Sequence, residues 1–140
     1  MSKFCLSWAS GLPRRTFKTA SHMLKIDEDC PTEIVCFHAQ QCVEKYLKAL
    51  LVMEGIVFPR THNINELLGL VPVAIRPELE TGEQDRLTEY ATITRYPGNY
   101  ESIPMNEARD AVKIARRIRV RARRFLPGKA IKRKKHKPDP

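Results

Sequence analysis

Apolar residues recur along this chain at helical spacing and almost nowhere at strand spacing. Placed at about 100° per residue, residues 32–55 split into two faces. Cys36, Ala39, Val43, Tyr46, Leu47 and Leu50 gather on one side, the spacing of a stripe that faces a core. His38, Gln41, Lys45 and Lys48 gather on the other, with Gln40 and Glu44 at the borders. An ordinary solvated face mixes Glu and Lys, whereas this one carries an imidazole and glutamines among its lysines. It reads either as a hydrated outer face or as a face turned towards a partner or ligand. Thr32 is placed to cap this helix, Glu33 suits its first turn, and Gly55 ends it.

A second clear helix follows near the C-terminus. Ala108, Ala111, Ala115, Ile118, Ala122 and Phe125 repeat at intervals of three and four, and their small side chains let a neighbouring helix approach closely. Arg116, Arg117, Arg119, Arg121, Arg123 and Arg124 cover the remainder, and Pro127-Gly128 stops the helix. Three weaker segments complete the pattern. Residues 14–25 form a first helix with Pro13 at its start and Phe17, Ala20, Met23 and Leu24 on its apolar face. Asn63, with Glu66 three residues on, makes a capping box for a short helix that Pro72 closes. Pro77 opens a fourth segment, which Gly82 weakens, so that its firm part is residues 84–93. Residues 56–59 are extended but too short for a sheet, and Pro97 makes residues 95–100 a turn. The pattern predicts an all-α, up-and-down bundle of four or five helices, with the two clear helices as its long antiparallel pair. The chain divides into an N-terminal segment (1–13), a helical domain (14–126) and a disordered basic tail (127–140).

Charge sharpens that division. The 140 residues carry a formal net charge of +9, but residues 1–112 hold 12 Lys/Arg against 15 Asp/Glu. Residues 113–140 hold 13 Lys/Arg against Asp139 alone, so the last helix and the tail supply the basic character. Lys132, Arg133, Lys134 and Lys135 are the candidate nucleic-acid contacts, binding phosphates through counterion release. No aromatic residue interleaves them, so that contact is expected to ignore sequence, and a solubilising tail is the other reading. The four cysteines (Cys5, Cys30, Cys36, Cys42) lack metal-ligand spacing, so no metal site is expected, and nothing calls for a cofactor. No run of about 18 apolar residues exists to span a membrane. Arg14 and Arg15 brush against an export signal, but no apolar stretch follows, and the expected location is the cytoplasm with reduced thiols.

Three motifs occur in order: His38-Ala39-Gln40-Gln41-x-x-Glu44-Lys45-x-Leu47-Lys48-Ala49-Leu50-Leu51, then Thr61-His62-Asn63-Ile64-x-x-Leu67-Leu68, then Thr94-Arg95-Tyr96-Pro97-Gly98. Together they resemble the HEPN domain family over roughly residues 15–126. The resemblance implies the same helical architecture. It also implies a nucleotide or RNA ligand and a minimal nucleotidyltransferase as partner, in a toxin–antitoxin-like pair, with the protein itself a homodimer. The groove it implies is lined by His38, Gln41, Lys45 and Lys48 with Arg95 and Tyr96, where a guanidinium beside a phenol suits a phosphate or a stacked base.

Catalytic members of the family carry an Arg, four to six residues, then a His, an arrangement able to cleave RNA by proton transfer and charge neutralisation. The downstream region where that motif belongs, around Arg95, contains no histidine, so the sequence leans away from an enzyme. Arg15 and His22 match the spacing formally but in the first helix, and a reassembled Arg95/His38 pair is the other catalytic candidate. The first helix also departs from the family: Trp8 is present, but the Asp-Leu pair expected after it is not. His62 reads most simply as hydrogen-bonding the turn before Asn63, and Lys45 and Lys48 as solvated lysines. A non-catalytic interaction scaffold stands beside the ligand-binding and ribonuclease readings.

Overall fold

The longest helix among the described residues, α2 (Thr32–Met53), buries its apolar stripe as its periodicity requires: Cys36, Ala39, Val43, Leu47 and Leu50 have no exposed surface and Tyr46 keeps 2 %. The computed structural model describes residues 3–92 and 102–127. Around α2 stand α1 (Lys3–Met23), α3 (Ile64–Leu70), α4 (Thr81–Tyr90) and α5 (Met105–Arg123), with a 3₁₀ turn (Leu24–Asp29) between α1 and α2. No strand occurs among the described residues. The fold is an all-α bundle of five helices.

Several helix ends follow local chemistry. α2 closes with Gly55 at φ +69°, the left-handed conformation that glycine adopts without strain. There Gly55 N–H donates to Val52 O (3.0 Å) and Ile56 N–H to Leu51 O (2.9 Å), the paired bonds of a Schellman motif. Thr32 is the first helical residue of α2 rather than its cap, because Pro31 occupies the cap position without a side-chain bond. At α3, Asn63 accepts from Glu66 N–H (3.2 Å) as expected. The reciprocal half of the box is replaced by Asn63 N–H donating to Thr61 Oγ1 (3.1 Å).

Two further expectations are corrected. α1 begins at Lys3 and takes Pro13 into its interior instead of starting after it. A proline there removes one backbone donor and crowds the preceding turn, at about 3 kcal/mol. The helix continues past it: Pro13 is itself buried, and on its C-terminal side Thr16 Oγ1–H donates to Pro13 O at 2.8 Å.

The second correction concerns direction. Cys36 of α2 lies beside Glu107 at the start of α5, whereas Tyr46 lies beside Arg119 and Arg123 at its end. α2 and α5 therefore run parallel, not antiparallel. α4 is the return pass that makes this possible. Its first turn meets the far end of α5 through Glu83 Oε1–Arg117 (2.8 Å), and its last residue meets the near end through Tyr90 O–H donating to Glu107 Oε1 (2.6 Å). The small residues of α5 do what their spacing demands: Ala108, Ala115, Ile118 and Ala122 are fully buried. α1 packs along the other flank of α2 and reaches α5 where Phe17 lies under the guanidinium groups of Arg116 and Arg119 (5.7 and 5.1 Å).

Candidate functional site

The polar side of α2 is organised by a residue that periodicity places only at its border. Glu44 is fully buried, and its carboxylate is the hub of a network. Oε2 meets the ammonium groups of Lys45 (3.1 Å) and Lys48 (3.2 Å). Oε1 accepts from Gln40 Nε2 (3.1 Å) and pairs with His62 Nδ1 (2.6 Å). Gln40 is buried too; its amide also reaches His62 O (3.4 Å), and its carbonyl accepts from Gln41 Nε2 (2.7 Å). An ionised carboxylate accepts only, so His62 presents Nδ1–H to it.

Local rules explain part of this arrangement. Glu44 precedes Lys48 by one helical turn, the favourable order for an ion pair on a helix. The segment leaving α2 supplies the rest: the Asn63 cap of α3 fixes the chain so that His62, just before it, lies over Glu44. Burial pushes the Glu44 carboxyl up, but the bonds from Gln40 and His62 and the charges of Lys48 and Lys45 outweigh it. The group sits below its ordinary value and is ionised at neutral pH. Its single negative charge faces two ammonium groups, so the cluster carries an excess of positive charge on side chains held in place by the acid.

The expected site residues are placed unevenly. Gln41, Lys45 and Lys48 join the Glu44 network, but the two lysines are turned onto the acid and keep only 18 % and 14 % of their side-chain surface. They are not solvated lysines. Lys48 also lies 5.9 Å above the Phe58 ring, in the strand-like stretch after α2. His38 sits on the same helix with its ring edge against Phe37; burial holds its imidazole below the usual value, and among the described residues its buried Nδ1 has no hydrogen-bond partner. His62 bridges back to α2. Arg95, Tyr96, Lys132, Arg133, Lys134 and Lys135 lie outside the described residues.

Other candidates separate cleanly. Arg15 and His22 are exposed on α1 and open onto one depression of about 450 Å³ that Lys18 and Met23 also line. Cys36 and Cys42 are buried, which pushes both thiols up to about 12, so neither is a nucleophile at neutral pH. Among the described residues no group of His, Cys, Asp and Glu is arranged to hold a metal ion, and no helix is long and apolar enough to cross a membrane.

Sequence reasoning missed Glu44, Gln40 and the role of His62. The signal available for Glu44 was its place between Gln40 and Lys48, one turn away on either side, along the edge of an apolar stripe.

Four helices packed about a central one, with a polar network on that helix, define an all-α domain whose distinguishing chemistry lies on α2 and the segment that follows it. The chain belongs to the HEPN family: the model of the HEPN domain matches residues 14–125, four-fifths of the 140-residue chain. That membership supports a function connected with nucleotides or RNA at the level of the family. No curated protein and no solved structure matches the chain.

Proposed function

We propose that this protein binds the phosphates of a nucleotide or of RNA at the Glu44-centred cluster, and that it works as a homodimer beside a minimal nucleotidyltransferase in a toxin–antitoxin-like module of the cytoplasm. One observation carries the reading. A fully buried carboxylate gathers Lys45, Lys48, Gln40 and His62 within 3.2 Å, which fixes two ammonium groups in place before any ligand arrives. Preorganised cations lose little side-chain entropy on meeting a phosphate. In this reading His38 and Gln41 extend the polar face, Arg95 adds a guanidinium with Tyr96 beside it, and Lys132, Arg133, Lys134 and Lys135 add affinity for longer nucleic acid. Titration of the purified protein with labelled ATP and GTP tests it: binding should weaken about tenfold in Arg95→Ala. Absence of binding at millimolar nucleotide, or affinity indifferent to Arg95→Ala, removes the reading.

A second reading, RNA cleavage, draws on the shared depression of Arg15 and His22, two helical turns apart on the exposed side of α1. Incubating the same preparation with RNA separates the two readings. Intact RNA is expected; cleavage that disappears in His22→Ala or His38→Ala would replace ligand binding with ribonuclease activity.

A further inference from the structure

α5 has a second face that the Glu44 cluster does not use and that the bundle engages through Arg116, over Phe17, and Arg117, on Glu83. Arg109, Lys113, Arg116, Arg117 and Arg124 are all exposed, and they fall within an arc of about 100° along a length of about 22 Å. Asp110 is the only exposed acid on the helix. Of the five cations, only Arg117 has an ion-pair partner among the described residues, Glu83 at 2.8 Å. Beside this stripe, between α5, the start of α4 and the segment before it, lies a cavity of about 900 Å³. Val73, Leu79 and Ile118 give it an apolar lining, and Val73 keeps 79 % of its surface exposed at its mouth. Arg117 and Arg121 stand on its α5 side, with Arg76, Glu78, Glu80 and Glu83 on the other.

We propose that the outer face of α5 and the adjoining cavity together form a site for single-stranded nucleic acid, with the backbone along the arginine stripe and one unstacked base in the cavity. The charges divide the ligand in this way. Inside the cavity Arg76, Arg117 and Arg121 balance Glu78, Glu80 and Glu83, so it holds no excess positive charge for a phosphate, while a neutral base offers N–H donors to the carboxylates and an apolar face to Val73 and Leu79. The phosphates remain on the stripe, where planar guanidinium groups match their oxygens. A cavity of this volume accommodates a nucleobase with room to spare. Paired, stacked bases cannot enter it, so a duplex meets only half of the site. A membrane is disfavoured because the apolar side of α5, from Ala108 to Ala122, is already buried in the bundle. The site uses neither Lys45 nor Lys48, so its fate is independent of nucleotide binding at Glu44.

The test uses the full-length protein and a short single-stranded oligoribonucleotide carrying one 2-aminopurine, whose fluorescence rises when the base leaves the stack. Binding is expected to brighten it. In Arg109→Gln/Lys113→Gln/Arg124→Gln, affinity near 0.1 M salt should fall about tenfold or more, and the slope of log affinity against log salt should flatten by about 2, near 0.7 per lost phosphate contact. Val73→Asp should abolish the brightening and leave that slope in place. Both variants alter exposed positions, and an unchanged far-ultraviolet circular dichroism spectrum confirms their fold. Lys132→Gln/Lys134→Gln/Lys135→Gln should keep the brightening. An unchanged salt slope in the α5 variant, or fluorescence that does not rise on binding, overturns the proposal. So does a duplex bound as tightly as the single strand. Displacement of the oligonucleotide by an acidic polypeptide or by anionic vesicles at equal charge would overturn it in favour of those partners.

Discussion

Glu44 is the residue on which most of the local chemistry converges. A carboxylate stripped of water costs several kcal/mol unless donors replace its hydration, and here Gln40, Lys45, Lys48 and His62 fill both oxygens. Removing the acid should therefore hurt more than neutralising it. Glu44→Ala leaves two half-buried ammonium groups facing each other and should cost about 3–5 kcal/mol. Glu44→Gln keeps an acceptor of the same shape and should cost about 1–3 kcal/mol, read from urea midpoints at neutral pH. The pH dependence follows from the depressed carboxyl. The stability it contributes is complete above the ordinary glutamate value of 4.5 and disappears as pH falls through its lower value in the folded state. Wild-type protein should thus lose stability on acidification below that point faster than Glu44→Gln. Parallel acid profiles for the two proteins would show that the cluster holds no net electrostatic stabilisation.

At the scale of the element, what local pattern specifies is what could be read in the chain. The core stripe of α2 and the small-residue seam of α5 follow a 3.6-residue period that burial alone enforces, and both were legible. So was the end of α2, since Gly55 occupies a backbone conformation that costs a side chain strain. Its Cβ would meet no atom within 4 Å, so only that strain resists substitution. Gly55→Ala should therefore lose about 1 kcal/mol with an unchanged urea slope, and Gly55→Asn should lose less. A larger loss would mean that the Schellman bonds also position the segment leading to His62. Features set by distant packing were not legible. Nothing near Pro13 announces that α1 continues through it. The parallel run of α2 and α5 depends on α4, a short polar helix whose glycine obscures it. The burial of Glu44 depends on where residues 56–63 return, and no periodicity within α2 encodes that. The polar face was therefore visible as unusual, while the acid at its centre was taken for a border residue.

Across the whole molecule, charge is segregated: residues 1–112 carry a net −3 and residues 113–140 a net +12. Two copies that approached through α5 would bring their basic helices together and repel, whereas the body carries charges of both signs and exposed apolar side chains among them. Two of these are Ile26 (53 %), in the turn between α1 and α2, and Ile34 (40 %), in the first turn of α2. A dimer seated there comes near Arg109, which lies by Cys30 in the same connection, and leaves Lys113, Arg116, Arg117 and Arg124 of each copy open to nucleic acid. Apolar contacts are not screened by salt, and opposite-charge contacts are. Light scattering at micromolar concentration should accordingly give about 32 kDa, twice the 16.1 kDa of one chain, at low and high salt alike. Ile26→Glu/Ile34→Glu should halve that mass without loss of helix. A dimer that dissolves as salt rises would instead join the acidic body of one copy to the basic helix of another, which would bury the very arginines proposed to meet the polynucleotide. The salt series therefore decides between two assemblies, only one of which leaves α5 free to bind.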